Sequence, residues 1–202
     1  MWKYGILKYE QNRTEQNKTK QLIADENKAF LRSLGLTELH GRRILDVGFG
    51  LGHNSAMMRE LGADVYGVEP DIEAFTSAIE SGLIDRDKAY NCLLQDLPKE
   101  LAGTFDIVTL FLYNIAFNER EKVAQSLARA IKPKGVTIVG IHDDIYINGD
   151  QWLPPVSNSI ASAFANVNKT TRPNNIANKQ YIVAQSPKEI ITQTIKEPSK
   201  DL

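Results

Sequence analysis

An alternation of apolar runs with helical patterns constrains the fold of this chain more than any other feature of its sequence. From residue 43 to residue 141, apolar runs of strand length alternate with segments in which apolar residues recur at helical spacing. Strands that alternate with helices pair in parallel through right-handed crossovers, with helices on both faces of one sheet. The sequence therefore predicts a doubly wound α/β sheet.

The same patterns place the strands along the chain. Five are expected at residues 44–47, 64–68, 90–94, 105–112 and 136–141. Two more, at residues 164–171 and 180–184, are joined by a short polar loop that is compatible with a hairpin. The predicted sheet therefore has seven strands and is mostly parallel, with an antiparallel last strand.

Helices are expected between these strands and also ahead of the first one. The N-terminal helix is predicted over residues 15–34 and ends at Gly35, with an apolar face formed by Leu22, Ile23, Ala29, Phe30 and Leu34. Four later helices are predicted: one from Ala56, Met57 and Leu61, and three from the triplets Ile72, Phe75, Ile79; Val123, Leu127, Ile131; and Val156, Ile160, Phe164. The chain is interpreted as an N-terminal segment and helix (1–40), a central domain (41–186) and a C-terminal tail (187–202).

Composition excludes several classes of function. The 202 residues carry 24 basic and 25 acidic side chains, a balance that argues against a nucleic-acid partner held by bulk electrostatics. The single cysteine, Cys92, cannot form a disulfide framework, and the three histidines are far apart in the sequence. We therefore expect neither disulfides nor a metal site. No apolar run approaches the roughly 20 residues of a membrane span, so we expect a cytoplasmic protein that does not enter a membrane.

A glycine-rich turn at residues 48–52 lies between the first predicted strand and a helix. Glycine lets the backbone approach a ligand closely, and the amides at the following helix N-terminus favour an anionic group. The dinucleotide fingerprint G-x-G-x-x-G fails, because His53 stands at its third glycine. The pattern present is D-x-G-x-G-x-G, which begins at Asp46.

This turn resembles the first motif of the class I S-adenosylmethionine-dependent methyltransferases, which have a Rossmann-like fold. Residues 65–71, 94–97, 105–108 and 127–139 resemble the later motifs of that family in the same order, so the resemblance covers about residues 43–185. It implies that Glu69 binds the ribose hydroxyls, that Asp96 lies beside the adenine amino group, and that the Leu97 N–H faces a ring nitrogen. Because Glu69 follows Asp46 by one βαβ step, both carboxylates are expected to face one crevice. The candidate cofactor-binding residues are Asp46, Gly48, Phe49, Gly50, Gly52, Asn54, Glu69, Pro70, Asp96, Leu97 and Phe111.

Candidate catalytic residues follow the fourth and fifth strands. Tyr113 and Asn114 end the fourth and are polar groups able to orient a substrate, while His142 ends the fifth beside two carboxylates and is a candidate general base. In each case the alternative is a polar strand end without a catalytic role. His53 is expected near the methionine carboxylate of the cofactor rather than in catalysis.

The resemblance implies a methyltransferase that transfers a methyl group from S-adenosylmethionine to a small molecule or a protein side chain by in-line displacement. Two alternatives remain: a non-catalytic methyltransferase-like binding protein, and an NAD(P)-dependent oxidoreductase, which His53 disfavours. Trp2, Tyr4 and Tyr9 precede the N-terminal helix, and we predict that they form a mobile lid over the cofactor and substrate. The alternatives are that they only cover the core or that they are disordered.

Overall fold

The computed structural model describes residues 13–111, 119–142, 146–147, 150–151, 156–171 and 179–187. The helices within these ranges are α1 Arg13–Ser33, α2 His53–Glu60, α3 Ile72–Glu80, α4 Arg120–Ala130 and α5 Val156–Ala163. The strands are β1 Arg43–Val47, β2 Asp64–Val68, β3 Ala89–Tyr90, β4 Phe105–Leu110, β5 Ile131–His142, β6 Tyr146–Ile147, β7 Asp150–Gln151, β8 Phe164–Thr171 and β9 Lys179–Pro187. Short 3₁₀ turns lie at Arg86–Lys88, Leu94–Asp96 and Lys99–Leu101.

Seven of the strands in the described ranges form one sheet, in the order β3–β2–β1–β4–β5–β9–β8. The five neighbouring strands β3, β2, β1, β4 and β5 pair in parallel, whereas β9 is antiparallel to both β5 and β8. This arrangement confirms the predicted fold class, a mostly parallel doubly wound sheet with an antiparallel last strand. The β6–β7 hairpin forms a separate ribbon that the sequence analysis did not predict.

The core lies on both faces of the sheet, because consecutive residues of a strand point to opposite sides. In β1, Ile44 packs in the cluster that contains Phe30 of α1 and Met57 and Met58 of α2, while Leu45 packs in the cluster of α4 and α5. The other strands of the sheet centre alternate in the same way, with Ile107 and Ile138 on the first side and Val108 and Val139 on the second. Near-continuous apolar strands are therefore explained by helices on both faces.

Helix α1 buries a face that only partly matches the predicted one. Ala24, Asn27, Phe30 and Leu31 are buried, whereas Leu22 is 63% exposed and Ala29 is also exposed. The run Leu22-Ile23-Ala24 allows two phases of an amphipathic helix, and packing against α2 selects the phase that contains Ala24 and Asn27. The prediction of a helix was correct, and its predicted face was right at Phe30 and Leu34 but wrong at Leu22 and Ala29. On α3, Ile72 is likewise 58% exposed, although Phe75 is buried as expected.

Several predicted boundaries were also wrong. Helix α4 ends at Ala130, and Ile131 begins β5 instead of continuing the helix. Phe164, which was predicted both as the end of a helical triplet and as the start of a strand, begins β8. A register shift opposite Phe105 and Ile107 accommodates residues 132–135, so the strand continues through Pro133. Strand β3 stops at Tyr90, where residues 90–94 were predicted, and β4 stops at Leu110 rather than at residue 112.

The amino ends of the parallel strands carry ion pairs and a stacked cation. The Arg43 guanidinium lies 4.2 Å from the Tyr66 ring centroid and 5.3 Å from that of Phe105. Lys132 Nζ donates to Asp106 Oδ1 at 2.8 Å, and the backbone N–H of Arg43 donates to Asp106 Oδ2 at 2.9 Å. We call Arg43, Tyr66, Phe105, Asp106 and Lys132 the amino-edge cluster. These contacts join β1, β2, β4 and β5 at the end of the sheet opposite the glycine turn.

In the part of the chain that the structure describes, no helix is long and apolar enough to cross a membrane. The same residues contain no group of three or more His, Cys, Asp or Glu side chains placed to hold a metal ion. The proposed lid residues Trp2, Tyr4 and Tyr9 lie outside the described ranges. The lid and the three-part division of the chain therefore stay predictions.

Candidate cofactor-binding site

The glycine turn between β1 and α2 has a backbone that favours glycine at three positions. Gly48, Gly50 and Gly52 have φ values of 66°, 55° and 85°, in the left-handed region that costs other residues about 1–2 kcal/mol. The N–H groups of Gly48 and Phe49 donate to the carbonyl of Val68 at 2.8 and 3.4 Å. The turn is therefore fastened to the end of β2, and both strand ends contribute to one site.

The three glycines differ in what surrounds them. A Cβ added at Gly52 would lie 2.9 Å from the Leu83 Cβ, so packing against the next loop requires a glycine there. A Cβ added at Gly50 would meet no atom within 4 Å. Gly50 thus faces open space, and its backbone is accessible to a ligand.

Phe49 is a predicted site residue whose side chain lies in the core. Its ring is 4% exposed, 6.1 Å from the ring of Phe75, and a Cβ at Gly67 would lie 2.5 Å from it. The side chain anchors the turn from below and leaves only its backbone at the site. This explains how a bulky residue fits between two glycines in the motif.

Glu69 connects the glycine turn to the start of α3. Its Oε2 accepts from the Gly50 N–H at 2.8 Å and its Oε1 accepts from the Asp71 N–H at 2.9 Å. The Glu69 carbonyl accepts from Asn91 Nδ2 at 2.8 Å, and the side chain of Asp71 caps α3. Each carboxylate oxygen has two lone pairs and can accept more than one hydrogen bond, so a carboxylate that is already bonded can still accept from hydroxyls. Its position is fixed before any ligand binds.

Asp46 is held inside the protein, directly behind the turn. It is 1% exposed, and it accepts from Ser55 Oγ at 2.7 Å and from Thr109 Oγ1 at 3.1 Å. Burial raises the pKa of Asp46 from 3.8 to about 6, the two hydroxyl hydrogen bonds oppose that rise, and the charge of Glu69 adds to it. The two carboxylates are close enough for the charge of Glu69 to act on Asp46, and the expectation that both face one crevice stays a prediction. The oxygen atoms of Asp46 join β1, α2 and β4.

Asn54 lies in the first turn of α2 and contacts α1. Its Oδ1 accepts from Asn27 Nδ2 at 2.9 Å, and Asn27 is only 3% exposed. Asn27 was not predicted as a site residue, because it lies in a helix ahead of the motif. A polar residue on the buried face of an apolar helix was the signal available. The N-cap residue of α2, Gly52, has no side chain to cap the helix, so an external anion can take that role.

The remaining predicted cofactor residues surround the same end of the sheet. Pro70 and Asp96 are exposed, and Leu97 and Phe111 are half-buried. Asp96 ends a 3₁₀ turn in which the Leu97 N–H donates to the Leu94 carbonyl at 3.2 Å. In this structure, therefore, that N–H has an internal acceptor.

The structure describes one of the three predicted catalytic residues, His142. Tyr113 and Asn114 lie outside the described residues. His142 is the last residue of β5 and pairs with Lys179 of β9, which positions its backbone at the carboxyl end of the parallel strands. Its location at the end of a strand agrees with the sequence analysis. All three catalytic assignments stay predictions.

Together these residues suit a ligand with hydroxyl groups and an anionic end. Glu69 presents a fixed carboxylate to hydroxyls, and the backbone of Gly50 allows close approach. The N-terminus of α2 and the amide of Asn54 favour a negative group. A ligand that carries both hydroxyl groups and an anionic end is therefore compatible with these residues.

A family model described as a methyltransferase domain matches residues 45–139. This range begins in β1, includes the glycine turn, Glu69 and Asp96, and ends in β5. Every element that forms the candidate cofactor site, except α1, therefore lies within the matched range.

Two curated relatives share about a third of their aligned residues with this chain. A ubiquinone biosynthesis O-methyltransferase from Bordetella avium is 35% identical over 101 residues, which are 48% of this chain and 41% of the relative. A tRNA U34 carboxymethyltransferase from Trichlorobacter lovleyi is 32% identical over 126 residues, 58% of this chain and 37% of the relative. The chain thus matches less than half the length of these relatives.

Solved structures share the fold. The PH0226 protein from Pyrococcus horikoshii has a TM-score of 0.62 at 20% identity, covering 78% of this chain and 88% of that one. The 1,6-didemethyltoxoflavin-N1-methyltransferase from Burkholderia thailandensis, solved with S-adenosylhomocysteine, has a TM-score of 0.59 at 17% identity. The match covers 88% of this chain and 81% of that one. At these identities the likeness concerns the fold.

Proposed function

This chain belongs to the class I S-adenosylmethionine-dependent methyltransferases, and from that premise we propose that it transfers a methyl group to a small molecule. S-Adenosylmethionine is the cofactor of the family. The observation that carries the proposal is the bond from the Gly50 N–H to Glu69, which fixes a carboxylate beside an open glycine backbone. That arrangement suits a ribose next to a closely approached chain.

The cofactor supplies a methyl group on a sulfonium, which is a good leaving group and needs no covalent partner in the protein. The chain's own residues bind and orient. Glu69 accepts hydrogen bonds from ribose hydroxyls, and Asp96 accepts from the adenine amino group. The α2 N-terminus and Asn54 hold the amino-acid carboxylate. Alignment of the acceptor with the methyl group then supplies most of the rate enhancement.

The acceptor is proposed to be a small molecule for two reasons. Three curated relatives are named as ubiquinone biosynthesis O-methyltransferases, and the toxoflavin enzyme of similar fold also acts on a small molecule. The balanced charge of the chain gives no bulk attraction for nucleic acid. Tyr113, Asn114 and His142 are the proposed acceptor-side residues, with His142 as the candidate base for a hydroxyl acceptor.

Ligand binding tests the cofactor half of the proposal. S-Adenosylhomocysteine at about 100 times its dissociation constant should stabilise the protein by roughly 2.7 kcal/mol in a melting experiment, and NAD should not. Stabilisation by NAD alone would overturn the proposal and favour an oxidoreductase.

Product formation tests the transfer half. Purified protein, S-adenosylmethionine and panels of phenolic small molecules, peptides or tRNA would be assayed for S-adenosylhomocysteine release. Turnover with a small molecule supports the proposal. Turnover only with tRNA or peptide contradicts the acceptor class, and binding without turnover across all panels favours a non-catalytic binding protein.

A further inference from the structure

We infer that Asn27 is a positioning residue for the cofactor, which acts by fixing the orientation of the Asn54 amide. The inference rests on the proposed function and extends it to α1, which lies outside the range matched by the family model. It assigns a role to a buried polar side chain that neither the sequence motifs nor the comparisons identify.

Asn27 is a polar residue in an otherwise apolar interface. Asn27 is 3% exposed and lies on the buried face of α1 with Ala24, Phe30 and Leu31. Burying an amide costs free energy unless it is hydrogen-bonded, and an apolar residue there would pack without that cost. The bond from Asn27 Nδ2 to Asn54 Oδ1, at 2.9 Å, offsets that cost. It also determines which end of the Asn54 amide faces α1.

The side-chain amide of Asn54 is planar, so fixing one of its ends also fixes the other. Its oxygen and its NH₂ group lie on opposite arms, so when Oδ1 of Asn54 is turned to α1, Nδ2 is turned away from it. Among the described residues, none accepts a hydrogen bond from Asn54 Nδ2. Asn54 is half-buried and follows His53, the first residue of α2. Two N–H donors are therefore available at a helix end that already favours an anion.

The position of Asn54 at the start of α2 indicates which part of the cofactor it would contact. The N-terminus of α2 follows the Gly50 turn, while Glu69 occupies the ribose side of the same turn. The anionic part of the cofactor, the carboxylate of its amino-acid chain, is the group that benefits from donors at α2. Asn27 thus acts through Asn54: it keeps the amide in the donating orientation and excludes the reverse orientation, in which Oδ1 would repel the carboxylate.

The test compares two ligands that share the adenosine part. S-Adenosylhomocysteine carries the amino-acid chain, and 5′-methylthioadenosine lacks it. In Asn27→Asp the new side chain only accepts, so Asn54 must turn its NH₂ toward α1 and its oxygen toward the ligand. We expect the variant to lose about 10- to 100-fold in affinity for S-adenosylhomocysteine and to keep its affinity for 5′-methylthioadenosine, both measured by calorimetry.

Two further variants keep the test decisive if the buried carboxylate of the Asn27→Asp variant impairs folding. Asn27→Ala removes the donor without adding charge, and a smaller loss confined to S-adenosylhomocysteine is expected. Asn54→Asp places an oxygen where Nδ2 stood; an acidic residue is tolerated at a helix start, so folding should persist while S-adenosylhomocysteine affinity falls. Asn166→Asp, on the exposed part of β8, is the matched control and should change neither affinity.

The results separate the possible roles. A merely structural Asn27 predicts equal losses for both ligands, or a lower melting temperature with an unchanged ratio of the two affinities, and either result overturns the inference. If the unaltered protein binds neither ligand, the proposed function fails as well.

Discussion

The amino ends and the carboxyl ends of the parallel strands each hold an aspartate, but with different hydrogen-bond partners. We call these two ends of the strands the amino edge and the carboxyl edge. At the amino edge, Asp106 is bonded to the Lys132 ammonium and the Arg43 N–H. At the carboxyl edge, Asp46 is bonded only to hydroxyls among the described residues and lies close to a second carboxylate, Glu69. A cation therefore balances the charge of Asp106, whereas neutral hydroxyls hold Asp46.

The pKa values of the two aspartates show what this difference means. Burial would raise the pKa of Asp106, but the hydrogen bonds from Lys132 and the Arg43 N–H, with the nearby charges of Lys132 and Arg42, lower it below its usual value. Burial raises the pKa of Asp46 to about 6, and the two hydroxyl hydrogen bonds only partly oppose that rise. Stabilising ion pairs thus lie at one edge, while the other combines a perturbed carboxyl group with open backbone, as is common at binding sites.

The largest expected effect compares one glycine at each edge. Gly50 and Gly103 have similar positive φ values, 55° and 66°, and a Cβ at either position meets no atom within 4 Å. Valine at either position should strain the backbone by about 1–2 kcal/mol. Only Gly50→Val should also fill the space used by the ligand, lowering S-adenosylhomocysteine affinity more than 100-fold, or about 3 kcal/mol. Calorimetry on both variants checks this, and equal losses of affinity would remove the distinction between the edges.

The second effect concerns the pH dependence of folding. Because the pKa of Asp46 is raised in the folded state, its contribution to stability is present at low pH and is lost as pH rises from about 4 through about 6. From pH 4 to pH 7 this lowers the free energy of unfolding by about 2–3 kcal/mol. Asp46→Asn should lack that fall. Urea unfolding of both proteins at the two pH values measures it, and parallel pH profiles would contradict the prediction.

The third effect compares the two ends of β2. Glu69→Ala should weaken S-adenosylhomocysteine binding by about 1.5–3 kcal/mol, the range for hydrogen bonds to a charged group. Asp64→Ala, at the amino end of the same strand, removes the ion pair with Lys88 and should leave binding unchanged.

A ligand without the ribose hydroxyls sharpens this comparison. If Glu69 binds those hydroxyls, removing the carboxylate and removing the hydroxyls should not give additive losses. Additive losses would instead mean that Glu69 acts through its bonds to the N–H groups of Gly50 and Asp71.

The smallest effect is expected at Asp106. Because the pKa of Asp106 is lowered in the folded state, its contribution to stability is present at neutral pH. That contribution is lost as pH falls from the ordinary pKa of an aspartate through the lowered one, the reverse of Asp46. Asp106→Asn should lower the free energy of unfolding at pH 7 by about 1 kcal/mol or less, because Lys132 is 43% exposed to solvent. Ligand affinity should not change. A loss of affinity in this variant would show that the two edges are coupled.

Much of the fold was predictable because its signals are local. The periods of two and of about 3.6 residues distinguish strands from helices, and alternating elements of those lengths admit few topologies. The glycine turn was equally predictable, since three positive φ values at alternate positions leave a sequence little choice but glycine. Boundaries such as the one at Ile131 were not, because an apolar residue fits either the end of a helix or the start of a strand.

By itself the sequence determined the doubly wound sheet and the positions of the glycine turn and of Glu69 at its carboxyl edge. Tertiary structure alone decided which face of α1 is buried, that Phe49 points into the core, and that Asn27 reaches Asn54. Local pattern records the period of an element and the residues of a turn. The phase of a helix, the direction of a side chain and the partner of a buried amide depend on what the rest of the chain places opposite, and those contacts join residues that no local pattern links.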